Sequence, residues 1–293
     1  MRCDAAGAGS TVRVTPTVFA GPEAIGQALA ALIAEELAAA GPGRSFLLGC
    51  PSGRSPQSTY RALAREVAAR GLDLSGLVIV MMDDYVERDP ATGAITRVDP
   101  RAPYSCLRFG QAEIVDRLNA AAGPGRGIRP GHYWVPDPAH PQRYETMIAD
   151  HGGIDLFILA SGAADGHLAF NPPGTPRGAP TRIVRLAEQT RRDNLSTFPA
   201  FGGDLGRVPW YGVTVGVGTI CERSKRVVMV AHGEGKARTV RRIANAERYA
   251  PDWPATILAE CARPQMFVDE AATRDLLSPG PPRGVSSASA KER

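Results

Sequence analysis

Asp165, Gly166 and His167 follow an apolar run, Ile154 to Ala160, and a loop of small residues, Ser161-Gly162-Ala163-Ala164. The run reads as a fully buried strand. Ligands of an open parallel sheet bind at the carboxyl ends of its strands. An Asp-Gly-His loop there can bring a carboxylate and an imidazole into one pocket, and histidine moves protons most readily near neutral pH. The plainer alternative is that Asp165 caps a helix and His167 packs in a loop.

Three other strand ends bear on that choice. Residues 46–50 form a short apolar run that enters Pro51-Ser-Gly-Arg-Ser-Pro56 and then a helix. Ser52, Gly53, Arg54 and Ser55 would offer backbone N–H groups and the positive end of a helix dipole, which suit a phosphate. An ordinary strand–helix turn has the same look. Residues 77–82 run into Asp83-Asp84-Tyr85. Adjacent carboxylates at a strand end are costly unless solvated, paired or used, and one of them can serve as a general base. A turn cap is the alternative. Residues 226–231 run into His232-Gly-Glu-Gly-Lys236. A lysine in the first turn of a helix opposes the dipole, a conflict that an anionic ligand would remove; a solvated surface lysine is the alternative. Four strand ends with chemistry-capable groups are far more specific together than singly.

The elements that must position these groups follow from periodicity. Apolar strands of five to seven residues alternate with amphipathic helices, which predicts an α/β fold: a three-layer, doubly wound, mostly parallel sheet. Helices are expected at 22–40, 56–70, 104–121, 141–151, 188–196, 236–246 and 254–261. Further strands are expected at 12–16, 181–186, 213–217 and 265–269. Residues 87–103 and 123–139 read as polar or Gly- and Pro-rich loops. One domain is expected over 11–277, with disordered segments at 1–10 and 278–293.

Composition narrows the class. Of 293 residues, 43% are hydrophobic and 22% charged, ordinary for a globular protein. The net charge of +4 is too small and scattered to argue for nucleic acid, but suits an anionic small substrate. Lys225, Lys236 and Lys291 are the only lysines among 34 basic residues, so each is more informative than an arginine. Cys3, Cys50, Cys106, Cys221 and Cys261 are odd in number and far apart, and no Cys-x-x-Cys occurs. No disulfide framework or metal site is indicated. Without Walker or G-x-G-x-x-G spacing, no nucleotide cofactor is expected. The N-terminus lacks the apolar core of a signal peptide, and no run is long enough to span a membrane. A cytoplasmic protein is expected.

The segments Gly49-Cys-Pro-Ser-Gly-Arg-Ser-Pro56, Met82-Asp-Asp-Tyr-Val, Gly153-Ile-Asp-Leu-Phe, Asp165-Gly-His-Leu-Ala-Phe-Asn, Val213-Thr-Val-Gly-Val-Gly-Thr219 and Gly235-Lys-Ala resemble glucosamine-6-phosphate deaminases (isomerases) in order and spacing. Thr190-Arg191 with Asn194, and Pro254-Ala-Thr-Ile-Leu, extend the likeness over about residues 15–275. The resemblance implies a Rossmann-like fold without a nucleotide and a sugar-phosphate substrate. It also implies ring opening, proton transfer between C2 and C1, and release of ammonia. By motif position Asp83 is the proton-carrying base, His167 protonates the ring oxygen, and Asp165 orients His167. Residues 52–55 and Lys236 hold the phosphate. Members of the family are often homo-oligomers.

The sequence departs from that pattern. Pro172 stands where the family carries a glutamate that supports the histidine. Arg54 replaces a glycine of the phosphate loop, and Ser196 replaces a phosphate-binding arginine. Arg54, or Arg191, is expected to supply the lost charge. Ser161-Gly162-Ala163 replaces Gly-x-Gly, and Asp84 replaces a glutamate. Three readings follow: an isomerase or deaminase of an amino-sugar phosphate, a hydrolase like the related 6-phosphogluconolactonases, or a non-catalytic sugar-phosphate binder. Ala169-Phe170-Asn171 resembles the deaminases and argues against the second, and retention of both Asp83 and His167 argues against the third, which leaves the first ahead.

Overall fold

A computed structural model describes residues 13–41 and 43–276. The expected disordered segments at 1–10 and 278–293 lie outside the described residues. Its main sheet contains β1 (Pro16–Phe19), β2 (Phe46–Cys50), β3 (Leu77–Met81), β6 (Tyr133–Trp134), β7 (Leu156–Leu159), β10 (Val227–Ala231) and β11 (Pro264–Asp269). They pair in the order β1-β11-β10-β7-β2-β3-β6, every pair parallel. The chain winds outward from β2 through β3 to β6, then returns to β7 and winds the other way. The order therefore reverses between β2 and β7, where a doubly wound sheet opens its crevice.

Alternation along the strands divides the interior into two cores. Leu48, Ile79, Ile158 and Val228 face one side, against Ile25, Leu29 and Ile33 of α1 (Pro22–Ala40) and Tyr60, Leu63 and Val67 of α2 (Gln57–Arg70). Leu47, Val80, Phe157 and Met229 face the other. There they meet Tyr144 and Ile148 of the helix Pro141–Asp150, Ile220 of Val217–Arg223, and Val240 and Ile243 of Ala237–Ala244. Strands buried on both faces must be apolar throughout, which is why these runs were legible as strands.

A second sheet joins two expected strands to a hairpin that was not expected. β4 (Asp83–Arg88) and β5 (Ile95–Arg97) form a hairpin, and β4 also pairs antiparallel with β9 (Tyr211–Thr214), which pairs with β8 (Arg182–Arg185). Residues 87–103 therefore contain strand, not only loop. β8 and β9 answer the strands expected at 181–186 and 213–217, whereas β4 is mostly charged and β5 is three residues long, so these two show no apolar run. Other differences are local. The first strand starts at Pro16, which has no N–H to lend a ladder. The helix expected at 104–121 is α3 (Cys106–Gly110), a π-helical stretch at Gln111–Asp116 and α4 (Arg117–Ala122). Residues 254–260 form 3-10 turns. β6 lies within the Gly- and Pro-rich stretch, too short to leave a pattern.

Asp155 ties the opposite edge of the sheet together. Its carboxylate accepts from the Leu47 N–H at 2.9 Å and from Lys225 at 2.9 Å, and pairs with Arg44. Both cations are half in water, so most of the value lies in the buried N–H. Asp155→Ala is expected to lower stability by about 2 kcal/mol. Activity per folded molecule should be unchanged, because the site lies at the other ends of the strands. Urea unfolding with an activity assay checks both.

Candidate active site

A cleft of about 510 Å³ opens at the carboxyl ends of β2, β3, β7 and β10. Ser52, Gly53, Arg54, Ser55, Asp83, His167 and Lys236 all line it. The loop after β2 is held by the Tyr60 hydroxyl, which donates to the Pro51 carbonyl at 2.7 Å. Gly53 takes φ 87°, a left-handed conformation that glycine adopts without strain. Ser52 Oγ lies 3.3 Å from the sulfur of Cys106.

Asp83 and Asp84 are both buried but differ in their partners. Asp84 accepts from the backbone N–H of Tyr85 and of Cys106, each at 2.9 Å, and from Arg97 at 2.5 Å. Arg97 is itself fixed by a 2.8 Å bond to the Pro136 carbonyl. Asp84 is thus fully engaged within the protein. Asp83 Oδ1 is buried without a hydrogen-bond partner. Burial pushes the Asp83 carboxyl up to about 7; a hydrogen bond from Cys106 opposes the rise and the charge of Asp84 adds to it. A carboxylate that exchanges its proton near neutral pH is suited to general-base work.

The loop after β7 folds back on itself. Ser161 bridges Leu168, Leu168 bridges Asn171, and the Gly162 N–H donates to the His167 carbonyl at 2.9 Å. Thr239 holds the loop from Ala237–Ala244 by donating to the Gly162 carbonyl at 2.9 Å. Asn171 donates to the Leu168 and Val215 carbonyls and accepts from Arg182, a structural role. Gly166 has φ 64° and lies flat against Trp253; any side chain there would collide with the indole. The turn puts Nδ1 of His167 2.7 Å from Asp165 and 3.2 Å from the Thr190 hydroxyl. Nε2 is then the nitrogen left for the cleft. Asp165 does not line the cleft but stands behind the imidazole. Burial works against its charge, and the hydrogen bonds and charge of His167 outweigh this, holding the carboxyl below its ordinary value.

Lys236 donates to the Ser161 carbonyl at 2.5 Å. Burial lowers its pKa; the charge of Asp193 opposes this, Arg54 reinforces it, and Asp165 opposes it. Arg54 and Lys236 thus form the cationic end of the cleft. Among the described residues no group of three or more His, Cys, Asp or Glu is placed to hold a metal ion.

One expected site residue is corrected. Arg191 does not line the cleft. Its guanidinium donates to the carbonyls of Leu205 at 2.5 Å and Val208 at 2.9 Å and stacks 3.6 Å from the Trp210 ring. It ties the helix Glu188–Thr197 to the segment before β9. Thr190, Asp193 and Asn194 of that helix line the cleft instead, as does His232. Asp193 and His232 were absent from the sequence expectations. Helical spacing puts 190, 193 and 194 on one face and 191 off it, a signal that could have separated them. Pro172 does not line the cleft either; Thr190 shares with Asp165 the task of holding the imidazole.

A buried carboxyl, a carboxylate-backed histidine and a cationic end in one crevice belong to an α/β enzyme with a site suited to proton transfer on a small anionic substrate. The model of a family described as glucosamine-6-phosphate isomerases/6-phosphogluconolactonase matches residues 20–267. A glucosamine-6-phosphate deaminase of Rhodococcus opacus is 34% identical over 235 residues, 78% of this chain and 81% of that protein. The solved structure of a monomeric glucosamine-6-phosphate deaminase, 26% identical, superposes with a TM-score of 0.73 across 87% of this chain and 97% of its own. A 6-phosphogluconolactonase of Leishmania guyanensis, 15% identical, shares the fold with a TM-score of 0.64 over 89% and 98%. The chain belongs to the glucosamine-6-phosphate isomerase/6-phosphogluconolactonase family.

The raised Asp83 pKa has a consequence for stability. The unfolded carboxyl titrates near 3.8 and the folded one at about 7. Between these values the folded state keeps a proton that the unfolded state has released, so stability falls as pH rises through this window. Asp83→Asn removes the penalty. The variant should be more stable than wild type at about pH 8, with the difference shrinking towards about pH 4. Denaturant unfolding at both pH values checks the sign.

Proposed function

We propose that this protein isomerises and deaminates glucosamine 6-phosphate or a closely related amino-hexose 6-phosphate. The observation that carries the reading is one cleft holding a buried carboxyl able to exchange its proton near pH 7 beside a carboxylate-backed histidine and two cations. The phosphate sits between the 52–55 loop, Arg54 and Lys236. Its binding energy positions the reacting carbons. His167, oriented by Asp165 and Thr190, gives a proton to the ring oxygen as the C1–O5 bond breaks. Asp83 takes the proton from C2; the electrons of that bond form the C1–C2 double bond, and the C1 carbonyl oxygen takes back the proton that the C1 hydroxyl released on ring opening, giving the enol. Return of the proton to C1 leaves a ketimine at C2. Water adds there and ammonia leaves, giving the ketose phosphate. Arg54 supports the phosphate in place of the arginine absent at residue 196.

Residues 11–277 serve as one catalytic unit, since the cleft draws on loops from residue 51 to residue 236 and on both sheets. No helix among the described residues is long and apolar enough to cross a membrane. A small polar substrate agrees with a cytoplasmic location and does not require a homo-oligomer; the monomeric deaminase of the same fold is one precedent.

The test is a set of hexose and hexosamine 6-phosphates incubated in D₂O. Deuterium at C1 together with ammonia release supports the proposal. Exchange without ammonia makes the protein an isomerase, acid release from 6-phosphogluconolactone makes it a hydrolase, and binding without turnover makes it a sensor. Asp83→Asn should retain sugar-phosphate binding and lose exchange by about 10²–10⁴-fold, the range supplied by a positioned base. Retained exchange would move the role elsewhere.

The phosphate assignment has its own check. Lys236→Ala or Arg54→Ala should each weaken substrate binding by about 1.5–3 kcal/mol, the value of a hydrogen bond to a charged group. Equal use of the unphosphorylated sugar by wild type would sink it.

A further inference from the structure

His232 is the first residue beyond β10, and it lines the cleft together with Lys236 four positions on. The turn between them is fixed from β11. Ala231 pairs with Val268, and the next residue, Asp269, accepts the Gly233 N–H with both carboxylate oxygens at 3.0 Å. Gly233 has φ 84°, which glycine adopts without strain, and its carbonyl accepts the Lys236 N–H at 2.9 Å. The two ionisable side chains ahead of Lys236 part company here. Glu234 is exposed and pairs with Arg274 at 3.1 Å. His232 is half-buried and faces the cleft. Among the described residues no hydrogen bond or ion pair engages its imidazole. A polar group held in a cleft with no protein partner is left for solvent or a ligand.

Strand order decides which part of a substrate it can meet. From β10 the sheet steps through β7 and β2 to β3. Three steps put the ends of β10 and β3 about 14 Å apart. Asp83 stands two residues beyond β3, so His232 is too distant to share in proton transfer at C2. The Met229–Leu159 register, carried three residues on, sets His232 level with Gly162. Next to Gly162 is the Ser161 carbonyl that takes one donor of Lys236. His232 therefore belongs to the end of the cleft that Lys236 marks.

We propose that His232 is a phosphate-binding residue, its imidazole N–H donating to a phosphate oxygen of the substrate beside Lys236. The inference deepens the reading of the site as one for an amino-hexose 6-phosphate and rests on it. The Lys236 ammonium has three donors and spends one on Ser161, so it cannot by itself satisfy the oxygens of a phosphate. An imidazole carries an N–H in both its neutral and its charged form and donates in either. Donation to an anionic oxygen is charge-assisted, so it is stronger than donation to the hydroxyl of an unphosphorylated sugar. His232 thus adds to the preference for a phosphate at C6 and takes no part in the chemistry at C1 and C2.

Calorimetric titration of the full-length protein with glucosamine 6-phosphate and with inorganic phosphate reads binding apart from turnover, and C2 exchange in D₂O reads the chemistry. His232→Ala should weaken both ligands by about 10- to 100-fold, the loss of a hydrogen bond to a charged group. Exchange at saturating substrate should stay close to wild type, the pattern of lost uniform binding. Exchange on unphosphorylated glucosamine, however slow, should be equal in the two proteins. His232→Asn keeps an N–H donor and should recover part of the affinity. If His232→Ala does not fold, His232→Gln against His232→Leu makes the same comparison with the space filled, and Gln should bind phosphate more tightly. Unchanged affinity for inorganic phosphate overturns the assignment, as does a loss of exchange at saturation with affinity intact. Equal weakening of the unphosphorylated sugar also overturns it. Wild type that binds neither phosphate nor the sugar phosphate ends the functional reading itself. Wild type that binds both, with affinity unmoved in His232→Ala, ends only the role of His232.

Discussion

Two adjacent buried carboxylates cannot both go unpaired in a protein interior. This protein resolves the conflict by dividing their surroundings. Asp84 takes Arg97 and two backbone donors, and so remains engaged. Asp83 is left with burial, one thiol and a neighbouring negative charge, and so is driven towards neutrality. The small antiparallel sheet exists at the right place to make this division. β4 carries both aspartates, β5 supplies Arg97, and β9 closes the other side of β4. The same hairpin departs from the main sheet after Met81, with only Met82 between, so Asp83 emerges at the crevice rather than in the core.

The histidine is managed by a parallel device. A loop between β7 and β8 is closed by its own bridges and by Thr239 from below. The Asp-Gly-His turn then fits only because residue 166 has no side chain against Trp253. Trp253 belongs to the segment whose Ala255 N–H donates to the Gly166 carbonyl at 2.9 Å. Rigid support from a distant part of the chain therefore fixes Nδ1 on Asp165 and leaves one ring edge for the cleft. Preorganisation of this kind is what a proton-transfer site needs, since a misplaced donor costs rate steeply.

The departures from the family pattern take on physical meaning within this frame. Pro172 lies outside the cleft lining and its carbonyl closes a turn with Thr175, so it brings no second acid to His167 beside Asp165. Arg54 brings bulk and charge to a loop that otherwise relies on backbone N–H groups. It shares the cleft's cationic end with Lys236, whose charge is favoured by the carboxylate of Asp193. A mixed-charge phosphate end is more selective than a purely cationic one, because a ligand must offer enough charge to displace the internal counter-ion.

The sequence alone determined the longer strands of the parallel sheet, most of its helices and most of the cleft. Strands buried on both faces must be continuously apolar, and the loops beyond them must be polar where a ligand sits. Phe46–Cys50, Leu77–Met81, Leu156–Leu159 and Val227–Ala231 were legible for that reason, and Asp83, His167 and Lys236 followed from their ends. Of the second sheet, β8 and β9 were legible, while β4 and β5 were not, because Asp83–Arg88 is mostly charged and Ile95–Arg97 is three residues long, so neither leaves an apolar run. Tertiary structure alone decided between neighbours. Arg191 and Asn194 differ by three positions, yet one is spent on Leu205, Val208 and Trp210 while the other lines the cleft. Asp83 and Asp84 are adjacent and chemically identical, and only the arrival of Arg97 and the start of α3 makes one a structural anchor and the other a candidate base. Helical spacing could set Arg191 off the cleft face, but partners that come from distant segments have no local signature, so no periodicity could name Leu205, Val208, Trp210 or Arg97 in those roles.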